Sequence, residues 1–251
     1  MAVYSIHFSP TGGTKTVADV LAHALSDEVR TIDLLQKSAE KQSFTQEDIC
    51  LIAVPAFGGR VPPKAAERLR TFHANGATAV TVAVFGNRAI DDTLIELYDL
   101  ALAVGFTVTA GIEAVAEHSL VREFGHGRPN AADKAELTAF AQAIKQKWQA
   151  NRRTTPTLPG NRPYKEFHAS AMSLAVDDTC TNCKRCARHC PVEAIPLTNV
   201  KTVAADKCFS CMHCVSVCPV GARRQAPHAV AALAERLRER CTTVKPNRLY
   251  L

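Results

Sequence analysis

The chain has 251 residues, 47% of them hydrophobic, which is enough for one ordinary core plus a small second module and too apolar for a disordered chain. Its formal net charge of +6 is diffuse, with no basic run interleaved with aromatics, and this speaks against nucleic-acid binding. Eight of the ten cysteines lie between Cys180 and Cys218, which argues against a secreted disulfide scaffold, and no apolar run approaches 18 residues, so the reading is a soluble cytoplasmic protein without a membrane span.

Residues 1–150 alternate short β-rich apolar runs with helical patterns. Strands are expected near 2–8, 28–34, 49–54, 78–85 and 106–115, which implies a parallel sheet covered on both faces. Val17, Val20, Leu21, Ala24 and Leu25 form one face of a first helix; Leu137, Phe140, Ala141, Ile144 and Trp148 form that of the last helix in this part. Pro62 and Pro63 suit a helix start, and Gly105 suits a helix stop.

The first strand leads into the first helix through Ser9, Pro10, Thr11, Gly12, Gly13 and Thr14. Small hydroxylated residues and two glycines at a helix N-terminus let backbone N–H groups converge on an anion, so the turn reads as a phosphate cradle. An ordinary strand-to-helix connection uses similar residues. The turn matches neither the G-x-x-x-x-G-K-[ST] nor the G-x-G-x-x-G pattern. Two further loops fall at strand ends, Pro55 to Pro62 and Phe85 to Asp92. A third, after the fifth strand, carries His118, Arg122, His126 and Arg128 among glycines, which suits either a ligand contact or a polar interface between modules.

Composition changes over residues 151–167, where prolines, threonines and arginines leave no apolar period; this is a linker draped over the surface, with Tyr164 and Phe167 as anchors. The segments expected are therefore 1–150, a linker over 151–170, a cysteine-rich domain over 171–226, and a helix and tail over 227–251. The final helix carries a stripe of Val230, Leu233, Ala234, Leu237 and Cys241. The tail closing on Leu249, Tyr250 and Leu251 is expected to dock on a neighbouring surface.

The cysteine segment reads C-x2-C-x2-C-x3-C-P twice, offset by 28 residues, with Pro191, Val192 and Ala194 matching Pro219, Val220 and Ala222. Three closely spaced cysteines wrap three corners of a 4Fe-4S cubane, and the fourth serves the other cluster. Cys180, Cys183, Cys186 and Cys218 are thus expected to hold one cluster, and Cys208, Cys211, Cys214 and Cys190 the second. Zinc also binds C-x2-C pairs but leaves the third cysteine and the C-P ending of each copy unexplained. Two oxidised clusters with their thiolates add about four negative charges, offsetting most of the basic excess. The local surplus of Lys184, Arg185, Arg188, Lys201, Lys207, Arg223 and Arg224 either receives an acidic partner and eases reduction or stays solvated. Cys50 and Cys241 lie on apolar faces and read as small buried hydrophobes.

Over about 50 residues the cysteine segment resembles the bacterial two-cluster ferredoxins. The turn after the first strand resembles the S/T-x-T-G-x-T phosphate loop of flavodoxins, and the whole chain, including Ala116-Glu117-His118-Ser119, resembles the flavodoxin-ferredoxin fusions called ferrodoxins. That resemblance implies an α/β fold with a doubly wound five-stranded parallel sheet in order 2-1-3-4-5, a small α+β two-cluster domain and a C-terminal helix. It implies FMN held by Ser9, Thr11, Gly12, Gly13 and Thr14 at the phosphate, and by Phe57, Gly58, Gly59, Phe85, Gly86, Asn87 and Arg88 around the ring. The peptides of Gly58 and Gly59 are candidates to reorient as flavin N5 gains a proton. The chain departs from the family at Gly13, at Ile90 and at Phe57, where asparagine, tyrosine and tyrosine are usual.

Two functions follow. One is an electron carrier in anaerobic metabolism, linking a two-electron donor to one-electron acceptor proteins through FMN and two 4Fe-4S clusters. The other is a flavin-dependent reductase of a small molecule, for which Arg60, Asp91, Asp92 and His118 lie near the expected site without forming an evident acid-base pair. Linking the two modules in one chain keeps transfer between them independent of concentration.

Overall fold

Five runs rich in Val, Ile and Ala form parallel strands: β1 (Val3–His7), β2 (Val29–Asp33), β3 (Ile49–Pro55), β4 (Thr78–Phe85) and β5 (Thr107–Val115). The computed structural model describes residues 2–150, 154–168 and 172–251; residues 151–153 and 169–171, parts of the expected linker and of the start of the cysteine segment, lie outside the described residues. The strands pair in the order β2-β1-β3-β4-β5, with Val3 opposite both Val29 and Ile49. Every residue of β4 is buried, as a central strand covered on both faces requires.

The helices supply the two covers. Helix α1 (Gly13–Leu25) turns Val17, Leu21 and Leu25 inward, each contributing about 1.5–3 kcal/mol on burial. The last helix expected in this half is α4 (Ala131–Gln149), and Leu137, Ala141 and Ile144 pack with the α1 face over one side of the sheet. Asn130 starts α4 with a capping box: its side chain accepts from Asp133 N at 3.1 Å, and Asp133 accepts from Asn130 N at 2.8 Å. The other side carries α2 (Pro63–Leu69), entered through Pro62, and α3 (Thr93–Ala103).

The cysteine segment is built on short elements: β6 (Leu174–Val176) antiparallel to β7 (Arg223–Gln225), with α5 (Arg185–Arg188) and α6 (His213–Ser216) inside the two repeats. Helix α7 (Pro227–Cys241) follows. Its expected stripe packs as Leu233, Ala234 and Cys241, with Val230 and Leu237 alongside, on Leu120, Val121 and Phe124 after β5 and on Met212.

The tail docks as expected, in a way that enlarges the sheet. Residues Arg248–Tyr250 form β8, a sixth strand antiparallel to β5, with Leu249 opposite Ile112. Asn247 fixes it: its Oδ1 accepts from Val115 N at 2.8 Å, and its Nδ2 donates to Asp133 at 3.1 Å and Glu136 at 2.6 Å. The chain thus returns across the cysteine segment to cover the β5 edge, which would otherwise present unpaired backbone groups. Among the described residues no helix is long and apolar enough to cross a membrane.

Candidate functional site

The two cysteine repeats fold alike because their backbones share unusual positions. Asn182 and Lys184 in the first copy have φ of 54° and 63°, and Ser210 and Met212 in the second have 55° and 64°. A left-handed residue on each side of the middle cysteine curls the run around one point, at a cost of about 1–2 kcal/mol per residue. The sulfurs then divide between two pockets. One is lined by Cys180, Cys183, Cys186 and Cys218. The other is lined by Cys208, Cys211, Cys214 and Cys190. In each, three cysteines come from one copy and the fourth from the other. Among the described residues no three His, Cys, Asp or Glu side chains gather closely enough for a single metal ion.

The surroundings of these sulfurs suit an iron-sulfur core. Burial pushes the Cys211 thiol up to about 12 and that of Cys214 to about 11, the latter partly opposed by Arg223; such thiols favour ionisation once a cationic core lies among them. At Cys218 burial acts upward but is outweighed by backbone N–H groups of Arg223, Val220, Ala222 and Gly221, which hold the thiol below its usual range. The N–H of Ala194 likewise lies 3.3 Å from Cys190 Sγ. The buried guanidinium of Arg223 donates through Nη2 to Val200 O, while its Nε and Nη1 have no protein acceptor. It lines the first pocket, where sulfur would accept from it. Cys50 and Cys241 lie apart from both sets, fully buried, with thiols pushed up by burial.

The expected flavin residues gather around two pockets at the C-terminal ends of the strands. The phosphate-loop pocket is lined by Thr11, Gly12, Gly13 and Thr16, facing Glu117, Arg122 and Arg128. Ser9 stabilises the turn itself, its Oγ accepting from Lys15 N at 2.8 Å, and Thr14 is buried beneath it. The second pocket is lined by Phe57 and Gly58 from the loop after β3 and by Gly86 and Arg88 from the loop after β4. His118 and Ser119 line both pockets. A cation-bearing cradle at a helix start, continuous with an aromatic-lined slot, fits the phosphate and ring of FMN.

Other expected ring residues have different surroundings. Asn87 is buried and turns to the tail: its Nδ2 donates to Cys241 O at 2.5 Å and Thr243 O at 3.0 Å, and its Oδ1 accepts from Lys245 N at 3.0 Å. Phe85 and Ile90 pack in a small core with Leu94 and Leu158. Gly59 closes a tight turn at φ 85°, and a side-chain carbon there would meet Asp91 Oδ2 at 2.2 Å. Gly86 abuts His118, which an added carbon would meet at 2.6 Å. His118 Nδ1 in turn accepts from Leu120 N at 3.2 Å and Val121 N at 3.0 Å, and burial, with Arg88 nearby, holds its pKa down to about 4.

The carboxylates near the slot hold the linker. Asp92 accepts from Asn161 N at 2.8 Å and Lys165 N at 2.7 Å, and Asp91 pairs with Lys165 Nζ at 2.8 Å and Arg88 at 2.5 Å. Burial pushes both carboxyls up, but these donors outweigh it and keep them below their usual range. Arg60 forms a two-pronged pair with Glu96, 2.7 and 2.9 Å, and stacks 4.9 Å from the Tyr164 ring centroid. The linker is therefore draped as expected, with Tyr164 and Phe167 as its apolar anchors. Arg122 pairs with Glu117, and Arg128 with Asp133.

Reading the α/β half alone missed two rings of the slot. Phe167 comes from the linker, and Phe209 lies between Cys208 and Cys211. Phe209 is buried, with ring centroids 6.1 Å from Phe57 and 6.3 Å from Phe8. The available signal was the repeat itself: Phe209 occupies the position held by Thr181 in the first copy, and Met212 that of Lys184. The halves also meet at the phosphate loop, where Pro10 O lies 2.9 Å from His213 Nδ1 and accepts from Ser216 Oγ at 2.7 Å.

Residues 179–222 match the 4Fe-4S dicluster domain family. No curated protein matches the chain. Among solved structures it is similar to a Streptococcus pneumonia TIGR4 flavodoxin, at 18% identity and a TM-score of 0.42, over 59% of this chain and 99% of that one. It is also similar to oxidised flavodoxin 1 from Bacillus cereus, at 15% identity and a TM-score of 0.41, over 58% and 98% of the two chains. A flavodoxin from the domain Archaea aligns at 12% identity and a TM-score of 0.39, over 59% and 99%. The chain thus joins a parallel sheet in the order β2-β1-β3-β4-β5, the flavodoxin-like strand order, to a segment that matches the 4Fe-4S dicluster domain family.

Proposed function

We propose that this protein is an electron carrier of anaerobic, cytoplasmic metabolism, holding FMN in the strand-end pockets and two 4Fe-4S clusters on the crossed cysteine sets. Bound FMN supplies the exchange between two-electron and one-electron chemistry, and the clusters supply one-electron steps. The observation that carries the reading is Phe209. A residue inside the second cysteine run walls the same slot as Phe57, Gly58 and Gly86, so the second cysteine set adjoins the flavin site.

The first set holds the one exposed cysteine of the two sets. Cys183 is exposed, as are Thr181, Asn182 and Val220 around it, leaving that side accessible to a partner protein. Lys184 and Arg185 beside it favour a partner with an acidic surface. His118, kept neutral, and the backbone around Gly58 and Gly86 shape the slot and limit water on its inner side.

A reductase reading draws on Arg88, His168 and Arg236, polar side chains that line the slot beside its aromatic rings and would suit a small anionic substrate. One experiment separates the two. The purified protein is reconstituted anaerobically, analysed for iron, sulfide and flavin, and assayed for exchange with redox proteins and for turnover of small acceptors. About eight iron and one FMN per chain, with exchange and no turnover, is the result expected of a carrier; turnover without a partner protein contradicts it.

A further inference from the structure

The two cysteine pockets come from a duplication, and aligning them by the offset of 28 residues shows where the copies have diverged. Cys180, Cys183, Cys186 and Cys218 correspond to Cys208, Cys211, Cys214 and Cys190, and Pro219, Val220 and Ala222 to Pro191, Val192 and Ala194. Three other lining positions differ in kind. Thr181, Lys184 and Arg223 line the first pocket; their counterparts Phe209, Met212 and Ile195 line the second.

The difference extends to solvent. Phe209, Met212 and Ile195 are buried at 9%, 3% and 5% exposure. Phe209 lies under Phe8 and Phe57, and Met212 under Leu120, Val121 and Leu233. In the first copy Thr181 and Val220 are exposed and Lys184 is partly so. The α/β half and α7 thus cover the Phe209 and Met212 side of the second set, while the matching side of the first, Thr181 and Lys184, meets solvent.

From this divergence we infer that the two cluster sites have unequal reduction potentials, with the outward first site, bearing Thr181, Lys184 and Arg223, the higher. The inference rests on the two-cluster reading above. One electron entering a four-thiolate site adds one negative charge. Water and nearby cations stabilise that charge, and an apolar enclosure opposes it. Lys184 lines the first pocket where its counterpart Met212 lines the second, and Lys201 reaches only the outer side of the second set, beside Cys208. Arg223 supplies a further cation, buried at 2% exposure, with Nε and Nη1 free of any protein acceptor. Its guanidinium lines the first pocket and favours reduction there, whereas Phe209, Met212 and Ile195 oppose it at the second. A single electron delivered by an external one-electron donor therefore resides at the outward site, on the side open to a partner.

The test is a potentiometric titration of the full-length, anaerobically reconstituted protein with dithionite, followed by electron paramagnetic resonance. Two reduction steps are expected, separated by at least a tenfold difference in equilibrium constant, about 59 mV for one electron. Lys184→Met should lower the upper step and leave the lower one in place. Arg223→Gln should lower the upper step, and Arg223→Lys should restore part of the loss. Lys184 is partly exposed, so its variant retains the fold even if Arg223 variants do not. Full iron content with both clusters reduced at one potential overturns the inference alone, as does a Lys184→Met shift confined to the lower step. Iron well below about eight per chain overturns the two-cluster reading and the inference with it.

Discussion

The ring of Phe209, set between two cysteines of the second repeat, packs 6.1 Å from the ring of Phe57 in the loop after β3. Both belong to one apolar cluster with Ile6, Phe8 and Val61, so the cysteine segment and the α/β half share a core. Phe209→Ala is expected to cost about 3–5 kcal/mol. Thr181→Ala, at the duplicated but exposed position, should stay within about 0.5 kcal/mol of wild type. Urea denaturation of the two variants, read by fluorescence and circular dichroism, checks the contrast.

His118 provides a pH signature. Its folded pKa, about 4, lies below the value of about 6.5 in an unfolded chain, so the unfolded state binds the additional proton between those two values. The stability due to a neutral His118 is therefore full above about pH 6.5 and is lost as pH falls towards 4, by up to about 3 kcal/mol. Stability measured from pH 4 to 7 should fall more steeply for wild type than for His118→Gln; parallel curves would show that His118 is not buried as a neutral ring.

Gly86 has no room for a side chain, because an added carbon would meet His118 at 2.6 Å. Gly86→Ala is expected to displace His118 and cost about 1–3 kcal/mol. It should also weaken FMN binding, since Gly86 and His118 line the slot together. Flavin fluorescence titration alongside thermal melting separates the two effects.

The tail strand depends on Asn247. Asn247→Ala removes the acceptor of Val115 N and the donor to Asp133 and Glu136. Leaving the buried Val115 N–H without an acceptor should cost about 1–3 kcal/mol. Hydrogen exchange should speed up first at Gly111 to Glu113, the residues paired with β8, while β1 and β3 keep their protection.

The five parallel strands were legible because each is a run of five to nine residues bounded by turn residues, long enough to show a pattern. Strands β6, β7 and β8 have three residues each and carry no period; β6 and β7 are defined only by pairing with each other and β8 by the β5 edge it joins. The expected cysteine groupings coincide with the linings of the two pockets, because the short spacings hold three sulfurs of each run close together. The flavin slot was legible in part. Its glycines and Phe57 stand in recognisable turns, but Phe167 and Phe209 belong to segments read for other purposes. Asn87, an apparent ring contact by position, instead bonds to backbone more than 150 residues away, a long-range relationship with no local signature.

The crossing of the fourth cysteines can be tested with paired substitutions. If Cys190 serves the set of Cys208, Cys190→Ala combined with Cys208→Ala damages one site twice, and the reconstituted protein should retain about four iron in one intact cluster. Cys190→Ala combined with Cys180→Ala should damage both sites and leave no intact cubane. An intact cubane surviving in the second pair and none in the first would contradict the crossed arrangement.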